Sequence, residues 1–238
     1  MWLSLDLTVQ GASAQNAYCI YGHPSPLAFI GFAHALCVRA NLRQTSGVLA
    51  VFRDYRPRSI KVYGNEQFAI LRSAERDLAK ESQLDIPRAD LEVSVAFEIE
   101  SQPDFDAERL EAVLAGMRFA GGVLVKRKPR LHDDMAAAIK GLRGFVMKSS
   151  ALPHSEDPLG ALLDAVAVKP KGGWVTPSLR GLRLLETPQP KQGARGAHPH
   201  AYADPLLGVV HFEAVRTATE SDLWRLERRD NLIRFITA

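Results

Sequence analysis

Apolar and polar residues alternate in two stretches of the chain. Leucine or valine occupies every second position from Leu3 to Val9, and the same period recurs from Leu91 to Glu100, where most intervening residues are acidic. A period of two is that of a strand with one buried face, so both stretches predict strands, the second with an acidic outer face. Residues 47–53 (GVLAVFR) and 123–125 predict two further strands.

A helix with little polar surface is predicted from Pro26 onward. Ser25 suits the N-cap because its hydroxyl accepts a first-turn amide, and Pro26 suits the first helical position because it has no amide to lose. Apolar residues cover most of the helix circumference over residues 27–38, which predicts burial on several sides. Gly31 and Ala33 would then let a neighbouring element approach closely.

The order of the elements predicts an α+β fold. A second helix is expected from Leu110 to Met117, where apolar residues recur at helical spacing, and Gly121 and Gly122 form a glycine-rich turn after it. The order strand, helix, strand, strand, helix, strand is that of the ferredoxin-like βαββαβ unit, which we predict for residues 1–125. RNA-recognition modules use this unit, and the acidic strand favours RNA at loops and edges.

Residues 126–238 predict a smaller, basic C-terminal α/β extension. Residues 169–202 are rich in Pro, Gly and basic residues and predict a loop. The other expected elements are helices at 132–140 and 158–168, a strand at 142–149, and a closing β-hairpin formed by 223–226 and 232–236.

The composition is that of an ordinary soluble globular chain. Of 238 residues, 46% are hydrophobic and 24% are charged, and Cys19 and Cys37 make neither a disulfide framework nor a metal-binding pair. The most apolar run, residues 27–38, is too short to cross a bilayer. We therefore expect a cytoplasmic protein without a membrane role. No phosphate-binding or dinucleotide-binding glycine motif occurs, and no metal or cofactor is expected.

Charge is distributed unevenly along the chain. The net charge is −3 over residues 1–125 and +6 over 126–238, or +3 overall, which is typical of a chain with one half facing a polyanion. Solvated surface remains an open alternative for both basic groups. These groups are Arg53, Arg56, Arg58 and Lys61 in a turn-containing excursion, and the run Lys126, Arg127, Lys128 and Arg130.

Two histidines are candidates for acid–base chemistry. His23 lies beside Pro24 in a loop, so we expect it to be exposed and within reach of phosphate, whereas His34 on the buried helix is expected to be structural. Either residue type serves a metal-independent ribonuclease as general base or acid.

The string GHPSPLAFIGFAHAL, residues 22–36, resembles the signature of a RAMP-fold subunit of type I-F CRISPR surveillance (Csy) complexes, the subunit that caps the guide-RNA 5′ end. The chain is shorter than usual members, which fits a compact type I-F variant or a type IV relative. Further agreement comes from LTVQ (7–10), RADLEVSV (88–95), GMRFAGG (116–122) and, more weakly, RFIT (234–237).

The resemblance implies a non-catalytic subunit that caps the 5′ handle of a guide RNA. Its implied partners are backbone RAMP subunits, a large subunit or its substitute, and target DNA near the flanking motif. It also implies that the glycine-rich loop approaches RNA phosphates and that the basic excursion occupies the place of a thumb-like element. With the charge pattern, RNA contacts are expected at Gly22, His23, Ser25, Arg53, Arg56, Arg58, Lys61, Arg118, Gly121, Gly122, Lys126, Arg127, Lys128 and Arg130.

Two other functions stay open. One is a RAMP-type endoribonuclease that processes repeat RNA, with His23 or His34 as base and Tyr18 or Lys61 assisting. The other is a protein-binding adaptor, for which no salt-sensitive RNA binding is expected.

Overall fold

The computed structural model describes residues 1–17, 20–62, 65–68, 87–100, 107–152, 155–167, 170, 172–191 and 199–237, with only the backbone for 59–62, 65–68, Tyr21 and Ala107. Its helices are α1 (Pro26–Ala40), α2 (Ala107–Ala115), α3 (Met135–Lys140) and α4 (Pro158–Ala167), with 3₁₀ turns at Val215–Thr217 and Glu220–Asp222. Its strands are β1 (Trp2–Ser13), β2 (Gln15–Ala17), β3 (Ile20–Tyr21), β4 (Gln44–Pro57), β5 (Ser59–Val62), β6 (Asn65–Phe68), β7 (Arg88–Ile99), β8 (Arg118–Phe119), β9 (Gly122–His132), β10 (Phe145–Ser150), β11 (Gly173–Leu184), β12 (Ala203–Ala214), β13 (Trp224–Arg229) and β14 (Leu232–Thr237).

One large antiparallel sheet organises the α+β fold. Its ten strands follow the order β10-β12-β11-β14-β13-β4-β7-β1-β9-β8, and a further pairing of β10 with β4 closes six of them into a ring. The predicted boundary between residues 125 and 126 falls inside β9, and strands from both sides of it share this sheet. The basic run that starts at Lys126 is therefore part of a strand that pairs with β1.

The first face of the sheet packs against α1 and α2. The alternating leucines and valines of β1 and β7 are buried there, which confirms the strands predicted from their period. Phe29 and Phe32 of α1 meet Phe119 with ring centroids 5.0 and 5.6 Å apart. This core fixes α1 across the centre of the sheet.

Helix α1 is buried on one side only, so the prediction of burial on several sides is wrong. Gly31 and His34 are exposed, and Val38 is 66% exposed. A Cβ at Gly31 would meet nothing within 4 Å, so this glycine serves no close approach. The helix begins at Pro26 as predicted, but the Ser25 hydroxyl makes no capping hydrogen bond, and the Ser25 carbonyl instead accepts from the Ala28 amide at 3.0 Å.

The second face of the sheet is apolar at one end and charged at the other. At the apolar end, Trp2, Leu49 and Ala96 are covered by Met135 and Ala138 of α3. Helix α3 starts three residues later than predicted, with the Asp134 carboxylate accepting from the Ala137 amide at 2.7 Å. The charged end is left open.

Residues 169–202 contain a long strand, so the loop prediction is wrong for much of this segment. Strand β11 runs through it because its glycines permit close approach of neighbouring strands. A Cβ on Gly173 would collide with the Phe212 carbonyl, and a Cβ on Gly181 would collide with that of Ile233. Residues 192–198 lie outside the described residues. The closing hairpin of β13 and β14 is confirmed, with Asp230 at its turn in a left-handed conformation (φ 48°).

Several predictions fall on residues outside the described part of the chain. Tyr18, expected to assist a ribonuclease, and residues 192–198 of the predicted loop belong to this group. Among the described residues, no helix is both long and apolar enough to cross a membrane.

Candidate nucleic-acid interface

A cleft of about 490 Å³ opens at the charged end of the second sheet face. Residues of β9 at alternate positions share this face, because Lys126 lies opposite Thr8 and Lys128 lies opposite Asp6. The segment that follows α3 forms the other wall. We name this site the basic cleft; it is lined by Asp6, Thr8, Arg53, Glu92, Lys126, Lys128, Arg130, Gly141 and Arg143.

The cleft carries a net positive charge, because its lining has five basic side chains and two carboxylates. One carboxylate, Asp6, is already neutralised: it lies 2.7 Å from Arg130 Nη2 and 3.8 Å from Arg53 Nη1. The Ser94 hydroxyl donates to the same carboxylate at 2.5 Å. Asp6 therefore holds two guanidinium groups in place at the floor of the cleft.

Besides their contacts with Asp6, Arg53 and Arg130 each donate a hydrogen bond to a backbone carbonyl. Arg53 Nη2 donates to the Leu7 carbonyl at 3.4 Å, and Arg130 Nη1 donates to the Gly141 carbonyl at 3.2 Å. Arg130 thus ties β9 to the segment after α3. Arg53 lies within β4 rather than in the turn-containing excursion that the sequence suggested.

The remaining cations of the cleft are available for an external anion. Within the part of the chain that the structure describes, Lys126, Lys128 and Arg143 have no acidic partner, and all three are exposed. The predicted run at 126–130 divides between the two sheet faces: Arg127 pairs with Leu7 in register and its Nη1 lies 3.5 Å from the Leu124 carbonyl. Arg127 does not line the cleft.

A second basic group surrounds the glycine turn between α2 and β9. We name it the glycine-turn cluster, formed by Arg58, Arg88, Asp90 and Arg118. Its guanidinium groups are already partnered, since Arg58 Nη2 lies 2.9 Å from Asp90, Arg88 donates to the Gly11 carbonyl at 3.2 Å and Arg118 donates to the Gly121 carbonyl at 3.3 Å. It is therefore a weaker candidate for phosphate than the cleft.

The two glycines of this turn have steric reasons for being glycine. Gly121 adopts φ +77°, a conformation that L side chains rarely adopt. A Cβ on Gly122 would lie 2.6 Å from Val9 Cγ1 and 2.7 Å from the Ala12 amide nitrogen. The pair therefore lets β9 begin against the irregular end of β1.

The basic excursion predicted around Pro57 is not one cluster. Arg53 lines the cleft, whereas Arg58 belongs to the glycine-turn cluster. Arg56 lies between them and pairs with the exposed carboxylate of Asp54 at 2.7 Å. The Lys61 side chain is outside the described residues.

The exposures expected for the two histidines are reversed. His23 is 7% exposed, its Nδ1 donates to the Pro24 carbonyl at 2.8 Å, and its ring meets Phe212 edge-on at 5.1 Å. Burial lowers the pKa of His23, so the ring is held neutral. Asn16 Nδ2 donates to the His23 carbonyl at 3.1 Å, which anchors the turn before α1.

The signature turn is buried from His23 onward, and Gly22 before it is partly buried. Ser25 is 9% exposed, and the Gly22 amide donates to the Ala14 carbonyl at 2.8 Å. Asn16 also accepts from the Leu179 amide at 2.7 Å and so links this turn to β11. The geometry gives Gly22, His23 and Ser25 a structural role, and the RNA contact expected at His23 has no exposed ring to make it.

The sequence patterns did not point to two basic residues of these groups, Arg143 and Arg88. Arg143 lacks a basic neighbour in sequence and reaches the cleft only because α3 folds back over β1 and β9. Once residues 126–130 are known to form a strand, the alternation of its side chains between two faces separates Lys126, Lys128 and Arg130 from Arg127. In the described ranges, no group of three His, Cys, Asp or Glu side chains could hold a metal ion.

The site and fold define an α+β protein with a positively charged cleft on one face of its sheet. A family model described as CRISPR-associated protein (Cas_Csy2) matches residues 3–162, a range that includes every cleft residue. The chain belongs to this family and is thereby a CRISPR-associated subunit of a multisubunit Csy complex of type I-F. A comparison with curated proteins found no match.

Proposed function

We propose that this Csy-complex subunit binds the 5′ handle of the guide RNA in the basic cleft without cleaving it. The observation that carries the proposal is the group of three exposed cations, Lys126, Lys128 and Arg143, which have no acidic partner among the described residues. Phosphate contacts from Lys and Arg supply most of the affinity for a nucleic-acid backbone. Arg53 and Arg130 add two guanidinium groups whose positions Asp6 fixes.

We further assign the ferredoxin-like RAMP unit to β1, α1, β4, β7, α2 and β9. The sheet order β4-β7-β1-β9 and the antiparallel pairing of each neighbouring pair support this assignment. In this unit the helices cover one sheet face and the other is free for ligand. The cleft lies on that other face, at β9, where Lys126 and Lys128 face outward.

The proposal of binding without catalysis rests on the surroundings of the histidines. A general base must lie within hydrogen-bond reach of the proton it removes. His23 is buried, and His34 lies on the exposed side of α1, whereas the cleft lies on the sheet face that α1 does not cover. A third histidine, His132, lies two residues after the cleft residue Arg130. Its Nε2 is already hydrogen-bonded to the Ser4 hydroxyl at 2.8 Å.

The proposed partners follow from the guide RNA. A subunit on the 5′ handle would contact the first backbone subunit and a large subunit or its substitute, and would lie near the flanking motif of the target DNA. Guide pairing would supply sequence recognition of the target, while protein contacts recognise backbone and shape. A compact type I-F variant or a type IV relative would use the same cleft.

Binding of purified protein to a labelled, repeat-derived 5′ handle across a salt series tests the proposal. We expect salt-sensitive binding, preference for the handle over a scrambled RNA, and intact RNA on a gel. Cleavage that His23→Ala or His34→Ala abolishes would instead establish the endoribonuclease. Absence of binding at every salt concentration would contradict RNA binding by the free subunit.

A variant pair places the binding in the cleft. The cleft variant combines Lys126→Gln, Lys128→Gln and Arg143→Gln, and the control variant combines Arg39→Gln, Arg216→Gln and Arg228→Gln. The control removes the same charge from exposed positions that do not line the cleft. We expect the cleft variant to bind the handle more weakly than the control variant at equal salt.

A further inference from the structure

One carboxylate of the basic cleft, that of Glu92, has no partner within the described ranges of the chain. Glu92 lines the cleft and is half-buried on β7. Three other carboxylates on the same sheet face each form an ion pair with a guanidinium group. These pairs are Asp6 with Arg130 at 2.7 Å, Asp54 with Arg56 at 2.7 Å and Asp90 with Arg58 at 2.9 Å. The acceptor oxygens of Glu92 are therefore available to a donor from outside the chain.

Glu92 lies between cations of the cleft. The sheet order β4-β7-β1-β9 puts Arg53, on β4, to one side of Glu92 and Lys126, on β9, to the other. In register, Glu92 lies opposite Thr8, and Thr8 lies opposite Lys126. Neighbouring strands are about 4.8 Å apart, so the backbones of Glu92 and Lys126 are about 10 Å apart. A nucleic-acid strand that contacts the cations on both sides therefore passes over Glu92.

A carboxylate in this position needs a hydrogen-bond donor from the ligand. An ionised carboxylate only accepts hydrogen bonds, and it repels phosphate. The donors of a single RNA strand are the ribose 2′-hydroxyls and the N–H groups of the bases. Because the ribose joins successive phosphates, a group between two phosphate-binding cations meets the sugar first. The position of Glu92 thus favours the 2′-hydroxyl, the group by which proteins distinguish RNA from DNA.

We propose that Glu92 accepts a hydrogen bond from a ribose 2′-hydroxyl and so makes the basic cleft selective for RNA over DNA. The proposal rests on the proposed function, because it needs a nucleic-acid strand in the cleft. It deepens that function, because the cleft cations bind the phosphates of either nucleic acid. Glu92 repels the phosphates of both, but only RNA has the hydroxyl that compensates for this repulsion.

The affinities of the labelled handle RNA and of the 2′-deoxy strand with the same bases measure the selectivity. A hydrogen bond to a charged group changes affinity by about 10-fold or more, so we expect wild type to prefer the RNA by at least this factor. Glu92→Leu removes the acceptor and should reduce the preference by about 10-fold. Glu92→Gln keeps an amide oxygen as a neutral acceptor, so its preference should lie between those of wild type and Glu92→Leu.

A scan of single 2′-deoxy substitutions along the handle identifies the hydroxyl. One position should weaken binding to wild type by about 10-fold and have little effect on binding to Glu92→Leu. Removal of a negative charge from the cleft strengthens the binding of substituted and unsubstituted strands alike. This electrostatic gain therefore cancels in the double-mutant comparison.

Asp54→Asn is the matched control. Asp54 lies directly opposite Glu92 on β4, but it pairs with Arg56 and does not line the basic cleft. The substitution removes the same charge from the same sheet face, so the preference for RNA should stay at the wild-type value. Urea unfolding establishes that each variant is folded before binding is compared.

The outcomes distinguish this proposal from the one on which it rests. If wild type binds neither RNA nor DNA, both are overturned. If the handle binds and depends on the cleft cations, but wild type and Glu92→Leu prefer RNA equally, only the selectivity proposal is overturned. A deoxy scan without a sensitive position in wild type also overturns it, whatever the behaviour of Glu92→Leu, because the carboxylate then contacts a base or only repels phosphate.

Discussion

Replacing Asp6 by Asn is expected to destabilise the fold while leaving RNA binding intact. Asp6 is 13% exposed and accepts from Arg130 and Ser94, with Arg53 Nη1 at 3.8 Å. Removing one partner of a buried ion pair costs about 3–5 kcal/mol. Because the Arg130 side chain is 39% exposed and water solvates it, we expect a smaller loss, about 2 kcal/mol.

Urea unfolding measures this loss as a shift in midpoint at constant slope. The matched control is Asp204→Asn, which removes a carboxylate 2.9 Å from Arg183 where both side chains are about half exposed. An exposed pair contributes at most about 1 kcal/mol, so this control should change little. Asp6→Asn also removes a negative charge from the basic cleft. Handle binding by this variant should therefore be at least as tight as by wild type. Equal midpoints for Asp6→Asn and Asp204→Asn would refute the anchoring role of Asp6.

Three further substitutions test the packing of the fold. Gly122→Ala should cost about 1–3 kcal/mol in urea unfolding, because its Cβ would collide with Val9, and an unchanged midpoint would contradict that packing. Trp224→Phe should cost about 1–3 kcal/mol, because the buried Met147 carbonyl loses the indole donor at 2.7 Å, and a cost of a few tenths would argue against this bond. Burial lowers the pKa of His23, so the unfolded chain binds a proton more readily than the folded one, and stability should fall as pH drops below about 6.5. Thermal unfolding should show a smaller fall in stability for His23→Gln than for wild type. An equal fall in both proteins would contradict the burial of a neutral His23 ring.

The sequence predicts best where one strand face is buried and the other is not. The alternation from Leu3 to Val9 identifies β1 correctly. A strand with one buried face needs apolar residues at every second position, because a one-residue change of register would exchange its faces. Residues 223–226 and 232–236 identify the closing hairpin for a different local reason, because two short apolar runs flank a polar turn. The sequence predicts β9 only as far as residue 125, because the second half of this strand is charged and has no apolar period to reveal it.

Burial around α1 could not be read from its composition. Its apolar residues cover most of the circumference, but the sheet covers only one side, so His34 is exposed. His23 is polar and next to proline in a turn, yet Asn16 and β11 enclose it. Both placements depend on long-range packing, which no local pattern reports.

The candidate site was predicted in part. Lys126, Lys128, Arg130 and Arg53 were all selected for their charge, and the fold brings them to one cleft. Charge alone did not separate Arg56 and Arg58, which pair with Asp54 and Asp90. It also did not reveal Arg143, because only the return of the chain after α3 puts that residue beside β9.

The salt dependence of handle binding tests the central claim most directly. Each phosphate contact to a single strand contributes about −0.7 to the slope of log K against log salt, so losing three cations should make the slope shallower by about 2. We expect this change in the variant that combines Lys126→Gln, Lys128→Gln and Arg143→Gln, and a wild-type slope in the control variant. Equal slopes in the two variants would show that the basic cleft does not hold the RNA backbone.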